Sequence, residues 1–138
     1  MRTPALHIDS PEALQSALAQ SPPGGLAQIQ QLISKLPIGI LVADDRARYV
    51  SVNESACRLT GYRESELLKM ALPDLTALTD VSVADRLWKA FLEQGRQRGE
   101  FAVRRRNGST LAVHYEAAAN VAPGLHVTFL RRVHSGSS

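Results

Sequence analysis

The stretch Leu36-Pro37-Ile38-Gly39-Ile40-Leu41-Val42-Ala43-Asp44-Asp45-Arg46-Ala47-Arg48-Tyr49-Val50-Ser51-Val52-Asn53-Glu54 sets the reading of the whole chain. Pro37 has no amide proton and ends whatever helix precedes it. Ile38 to Ala43 is then a short apolar run that stops at an Asp-Asp turn pair, the pattern of a buried strand. Arg48 to Val52 alternates polar and apolar side chains, as the returning strand of a hairpin does. At Asn53 the period changes, because its side-chain oxygen can cap free amides of a helix running from Glu54 to about Thr60, and Gly61 breaks that helix.

Toward the C-terminus, Arg63 to Met70 predicts a second short helix, Pro73 interrupts, and Leu75 to Leu78 allows at most one more turn. Ser82 or Asp80 can open a longer helix with Val83, Leu87, Trp88, Phe91 and Leu92 on one face, closed over Gly95 to Gly99. Phe101 to Arg106 reads as a strand, Asn107-Gly108 as a two-residue hairpin turn with both residues at positive φ, and Leu111 to Tyr115 as the partner strand. Asn120 to Gly124 makes the next turn, and Leu125 to Val133 alternates as a last strand before a flexible tail, residues 134–138. Toward the N-terminus, Leu26, Ile29, Leu32, Ile33 and Leu36 recur at spacings of three and four, an amphipathic helix over 26–36. Its stripe fits either the domain's own sheet or a dimer seam. Residues 1–25 form a separate segment, with Ser10 capping a short helix from Pro11 to about Gln20 and a Pro/Gly linker after it. The expected class is α+β, five antiparallel strands with helices inserted after the second and packed on one face, over residues 37–133.

At 138 residues there is chain for one core. The apolar fraction of 44% and charged fraction of 21% are those of a globular protein and exclude wholesale disorder. No apolar run reaches the ~20 residues of a membrane span, the N-terminus has no signal-peptide core, and the single cysteine, Cys57, fits a reducing compartment, so a cytoplasmic location is expected. The net charge of +3 is modest, and Arg104-Arg105-Arg106 alternates faces along its strand without interleaved aromatics, which argues against direct nucleic-acid binding. No phosphate loop, His-Glu-x-x-His or Gly-x-Ser-x-Gly is present, and no enzyme class is expected.

Leu36-Pro37-Ile38-Gly39-Ile40, Val52-Asn53-Glu54-Ser55-Ala56, Leu59-Thr60-Gly61-Tyr62 and Arg106-Asn107-Gly108-Ser109, in this order and spacing, resemble the PAS (Per-ARNT-Sim) family from about Leu36 to Val133. The resemblance implies a sheet ordered 2-1-5-4-3 whose inner face, with the helices, encloses a cavity. Family members use that cavity for haem, flavin, carboxylates or fatty acids, or leave it empty and act as dimerisation and relay modules. Fold alone does not choose among these.

The residues narrow the choice. Where flavin photosensors carry a reactive cysteine, this chain has Leu68-Lys69-Met70-Ala71-Leu72, and Cys57 reads as a packed thiol with no His or Lys one helical turn away. Where haem-binding members carry an axial histidine, Ser82 to Gln94 has none. His7 and His134 lie near the termini. Leu111, Val113 and Tyr115 are expected to share a face with Leu125, Val127 and Phe129, leaving His114 and His126 exposed on the other, where two ligands lacking a nearby carboxylate or thiolate are weak evidence for a metal site. No cofactor is expected. The cavity lining so expected is Ile40, Val42, Val52, Leu59, Tyr62, Leu67, Leu75, Leu87, Trp88, Phe91, Val113, Tyr115, Val127 and Phe129, suited to a small apolar or aromatic ligand. The expected function is signal sensing: the module binds such a ligand and relays its state through a homodimer to an output domain or partner such as a histidine kinase or transcription regulator. The alternatives are a ligand-free protein-protein interaction module and, third, a haem or metal sensor. Leu26, Ile29, Leu32, Ile33 and Leu36 are the candidate dimer seam.

Overall fold

The computed structural model describes residues 8–20, 25–76 and 81–133. The linker over 21–24, the turn at 77–78, Asp80, His7 and the tail from His134 lie outside the described residues. In chain order the elements are α1 (Pro11–Ala19), α2 (Leu26–Ile33), β1 (Gly39–Ala43), β2 (Tyr49–Val52), α3 (Glu54–Thr60), α4 (Glu64–Leu67), α5 (Leu72–Leu75), α6 (Val81–Gln94), β3 (Arg96–Arg104), β4 (Thr110–Ala122) and β5 (Leu125–Arg132). The strands form one antiparallel sheet in the order β2-β1-β5-β4-β3. β1 lies between β2 and β5 and every residue in it is buried, which is why its sequence is an unbroken apolar run rather than an alternation.

Asn53 is the joint of the fold. Its Oδ1 accepts from the amides of Ile40 and Ala56, both at 3.0 Å, and its Nδ2 donates to the carbonyls of Ile33 at 2.9 Å and Ile38 at 2.8 Å. One side chain thus caps α3, starts β1 and receives the end of α2, with all its hydrogen-bonding capacity used inside a site that is 2% exposed. Ser55 adds a hydroxyl bond to the Leu36 carbonyl at 2.7 Å.

Several boundaries differ from the sequence reading: α2 ends at Ile33 rather than Leu36, and Pro73 stands in the first turn of α5 instead of interrupting, because a missing amide proton costs nothing there. β3 begins at Arg96, inside the stretch assigned to a helix end, and β4 continues past Tyr115 to Ala122; Arg96, Gln97 and Arg98 pair with Ala118, Ala117 and Glu116. Edge pairing imposes the strand on residues whose own β preference is weak. The β3–β4 turn has three residues: the Arg105 amide donates to the Ser109 carbonyl at 2.8 Å and the Gly108 amide to the Arg105 carbonyl at 2.9 Å. Gly108 alone takes positive φ there, at 88°, while Asn107 accepts from the Ser109 amide and hydroxyl.

The larger correction concerns phase. Opposed residues of an antiparallel pair share a face, and Tyr115 opposes Leu130 while Ala117 opposes Thr128. Odd-numbered positions of β4 therefore lie with even-numbered positions of β5. Val113 and Tyr115 face inward with Leu130 and Leu41; Ile40, Val42, Val127 and Phe129 face outward. α3 to α6 cover the inner face. On the outer face, α1 and α2 bury Leu14, Leu18, Ile29 and Ile33 against those four residues. Burying an aliphatic side chain is worth about 1.5–3 kcal/mol, so Ile29 and Ile33 serve the domain's own sheet and are not a free dimer seam. Leu26, Leu32 and Leu36 are partly buried against the same cluster.

Candidate functional site

A cavity of about 380 Å³ lies between the inner sheet face and the layer of α5 and α6. β1, β2 and β5 supply Leu41, Tyr49 and Thr128; β4 supplies Tyr115 and Ala117; β3 supplies Gln97, Glu100, Phe101 and Ala102; the helical side supplies Leu72, Thr76, Ala84, Leu87, Trp88 and Phe91. Five of the chain's seven Phe, Tyr and Trp residues stand around this space. Phe101 and Tyr115 meet edge to face at 5.4 Å, and Trp88 and Phe91 tilt together at 5.3 Å. The Tyr115 ring lies over Gly99, where a Cβ would come within 3.3 Å of it, so the absent side chain gives the ring its place. Among the described residues no lysine, arginine or histidine lines the cavity. The carboxylate of Glu100, the one such group among the described lining residues, opposes His114 on the outer side of the β3–β4 pair and approaches its Nδ1 at 3.4 Å.

Burial raises the Tyr49 phenol well above its ordinary range, with the Asp74 carboxylate adding to the effect, and burial raises Tyr115 as well. Both stay hydrogen-bond donors at neutral pH. The Tyr115 hydroxyl reaches the Gln97 Oε1 at 3.5 Å; among the described residues no hydrogen bond engages the Tyr49 hydroxyl.

Beside the cavity, α6 is fastened to the sheet. The Trp88 Nε1 donates to the Asp45 carbonyl at 2.9 Å, and His126 lies under Trp88 and Phe91, its ring centroid 5.5 and 6.2 Å from theirs. The Asn120 amide donates to His126 Nδ1 at 3.0 Å, which leaves the ring proton on Nε2, and that nitrogen donates to the Asp45 Oδ1 at 2.7 Å. Asn120 holds positive φ, 55°, in the irregular stretch where the β4–β5 register shifts between Ala118 and Ala122.

Of the expected lining residues, the structure brings Leu87, Trp88, Phe91 and Tyr115 to the cavity. Ile40, Val42, Val127 and Phe129 belong to the outer core, displaced by the phase of β5. Val52, Leu59, Tyr62, Leu67, Leu75 and Val113 pack within the inner core, away from the cavity walls. His126 is 2% exposed and faces inward, whereas His114 faces outward and is exposed; the register places them on opposite faces, so they cannot share a metal. Sequence reasoning missed Tyr49, Thr128, Gln97 and Phe101. Tyr49 was legible as the inward position of an alternating strand, but Gln97 lay in a segment not read as strand. Cys57 is partly buried, and burial first, then Glu64 and Glu54, push its thiol up while Arg58 opposes them; this is an unreactive environment.

The chain matches the family model described as PAS fold over residues 27–132. Among curated proteins it is similar to sporulation kinase E of Bacillus subtilis, 22% identical over 104 residues, covering 75% of this chain and 14% of that kinase. Among solved structures it is similar to a domain of a sensory box sensor histidine kinase/response regulator from Geobacter sulfurreducens, with 27% identity and TM-score 0.66, covering 74% of this chain and 89% of that one. It is also similar to the PAS domain of an HTR-like protein from Haloarcula marismortui, with 24% identity and TM-score 0.67, covering 78% of this chain and 90% of that one.

Proposed function

Because the chain belongs to the PAS fold family, we propose that it is a signal-sensing module whose inner-face cavity binds a small apolar or aromatic molecule, without performing chemistry on it. The observation that carries this reading is the aromatic wall: five rings surround a space of about 380 Å³ that a well-packed core of this size does not leave open. Occupancy is relayed through α6. Trp88 and Phe91 touch both the cavity and His126, and His126 is bonded to the β1–β2 turn through Asp45 and to the β4–β5 bulge through Asn120. A ligand that moves α6 therefore acts on two turns of the sheet at once.

The readout is a second copy or a signalling partner of the histidine kinase or transcription regulator kind. The similarity to sporulation kinase E, of which this chain spans 14%, supports the kinase option. Native mass spectrometry of freshly purified protein, followed by denaturing extraction, tests ligand and oligomer together. A stoichiometric small-molecule adduct that copurifies with a dimer is the expected result. Clean apo protein that also leaves the cavity signals unmoved by small aromatic probes would sink the sensing assignment.

A further inference from the structure

The aromatic wall supplies contact area but no orientation, which must come from the few polar atoms that face the cavity. They are unequal. The Thr76 hydroxyl already donates to the Pro73 carbonyl at 3.4 Å, the Gln97 amide nitrogen donates to Gln94 at 3.2 Å, and the Tyr115 hydroxyl is turned toward Gln97. Tyr49 differs from all three: the residue is 5% exposed, it lines the cavity, and no hydrogen bond engages its hydroxyl among the described residues, whereas Thr128, whose hydroxyl is also unengaged there, is only partly buried. A donor that faces an apolar cavity with no protein partner is completed by what occupies the cavity, a ligand or solvent. The surroundings also choose the charge of what completes it. Among the described residues no cationic side chain lines the cavity to neutralise an anion, the Asp74 carboxylate acts on the phenol from nearby, and the Glu100 carboxylate approaches His114 on the opposite side of the sheet.

We propose that the cavity takes a neutral, largely apolar molecule bearing one hydrogen-bond acceptor, such as a ketone, ester or ring nitrogen, which receives the Tyr49 hydroxyl. This rests on the cavity being the ligand site. The aromatic rings select size and shape, and Tyr49 selects for the acceptor and fixes the orientation of the bound molecule beneath α6.

The test titrates the full chain with acetophenone, with ethylbenzene and with benzoate, following the indole N–H signal of Trp88, the chain's one tryptophan, in proton–nitrogen correlation spectra. Acetophenone and ethylbenzene have nearly the same shape and differ in the acceptor. Acetophenone should bind about five- to tenfold more tightly than ethylbenzene, the ratio one added hydrogen bond supplies, and benzoate more weakly than acetophenone. Tyr49→Phe should bring acetophenone down to the ethylbenzene affinity and leave ethylbenzene unchanged. Equal affinities in the wild type, an acetophenone preference that survives Tyr49→Phe, or benzoate as the tightest probe overturns the proposal. The wild-type comparison decides the matter alone should the variant not fold. If neither neutral probe shifts the signal at millimolar concentration, the ligand-site reading itself falls. Equal binding of both removes only the acceptor.

Discussion

The two faces of the sheet are both apolar and are covered in different ways. On the outer face, α1 and α2 lay Leu14, Ile29 and Ile33 onto Ile40, Val42, Val127 and Phe129, and all seven are at most 1% exposed. On the inner face, α3 and α4 pack closely against β1 and β2, but α6 stands off. Its Leu87 is 50% exposed, and the space beneath it remains open. The outer layer is held by interdigitated aliphatic side chains. The helical layer over the inner face is held at its margins by polar contacts: Trp88 and His126 to Asp45 on one side, Arg106 to Glu66 on the other. Apolar packing is lost steeply when a covering element shifts, whereas a few hydrogen bonds at a rim tolerate adjustment. The outer face is therefore scaffold and the inner face is the part able to respond.

The widest separation between the two faces is expected from truncating one large side chain on each. Phe129→Ala removes the largest fully buried side chain of the outer core and should cost about 3–5 kcal/mol in unfolding free energy. Leu87→Ala, on the exposed cavity wall, should cost no more than about 0.5–1 kcal/mol. Denaturant unfolding of the two variants checks this, and similar losses would break the distinction between a scaffold face and a responsive one.

Asn53→Ala comes next, because Asn53 holds the two layers together. It removes four hydrogen bonds and strands the Ile40 amide and the Ile33 and Ile38 carbonyls, so a loss of about 2–3 kcal/mol is expected. Asn53→Asp keeps the acceptor for Ile40 and Ala56 but turns a carboxylate oxygen toward the Ile33 and Ile38 carbonyls in a buried site, and should cost at least as much. An Asn53→Ala midpoint equal to wild type would mean that α2 docks through its apolar stripe alone.

The same contrast explains what the sequence made legible. The order of elements, the Asn53 cap, the helix at Pro11 and the five strands follow from local signals, namely caps, prolines and period, while the sheet order 2-1-5-4-3 was implied by the family resemblance, and all are present in the fold. The site was less legible because it depends on phase between strands. Alternation along β5 is plain in Leu125-His126-Val127-Thr128-Phe129, yet both sets look usable as a core. The β4–β5 register pairs odd positions of β4 with even positions of β5 on both sides of the irregularity between Ala118 and Ala122, which puts Thr128 and His126 inside and Val127 and Phe129 outside. The apolar phase of β5 was available to face outward only because α1 and α2 cover it, and the reading of residues 1–25 as a separate segment hid that cover. His126 then had no visible reason to be buried, since its carboxylate partner Asp45 is distant in sequence and Asn120 meets it through a backbone amide in the irregular end of β4.

The smallest effect concerns the rim of the inner layer. The Arg106 side chain reaches the Glu66 carboxylate at 3.0 Å, and its backbone amide donates to the Thr60 carbonyl at 3.0 Å, tying the β3–β4 turn to the end of α3 and to α4. The Glu66 carboxyl is held below its usual range, first by the Arg63 amide, which donates to it at 2.8 Å, and second by Arg106. A carboxylate whose folded pKa is depressed contributes stability above its unfolded pKa, and that contribution disappears as pH falls through the folded value. Arg106→Ala should therefore raise the Glu66 pKa only part of the way to that of an ordinary glutamate, because the larger, backbone cause remains. Its effect on the unfolding midpoint at neutral pH should be hard to resolve, as exposed ion pairs contribute little. A carboxyl-detected NMR titration of both proteins measures the shift. Full recovery of an ordinary Glu66 pKa would transfer the dominant role from the α4 cap to Arg106. The turn would then be a principal clamp on the layer above the cavity, and that layer would be held more firmly than its open packing implies.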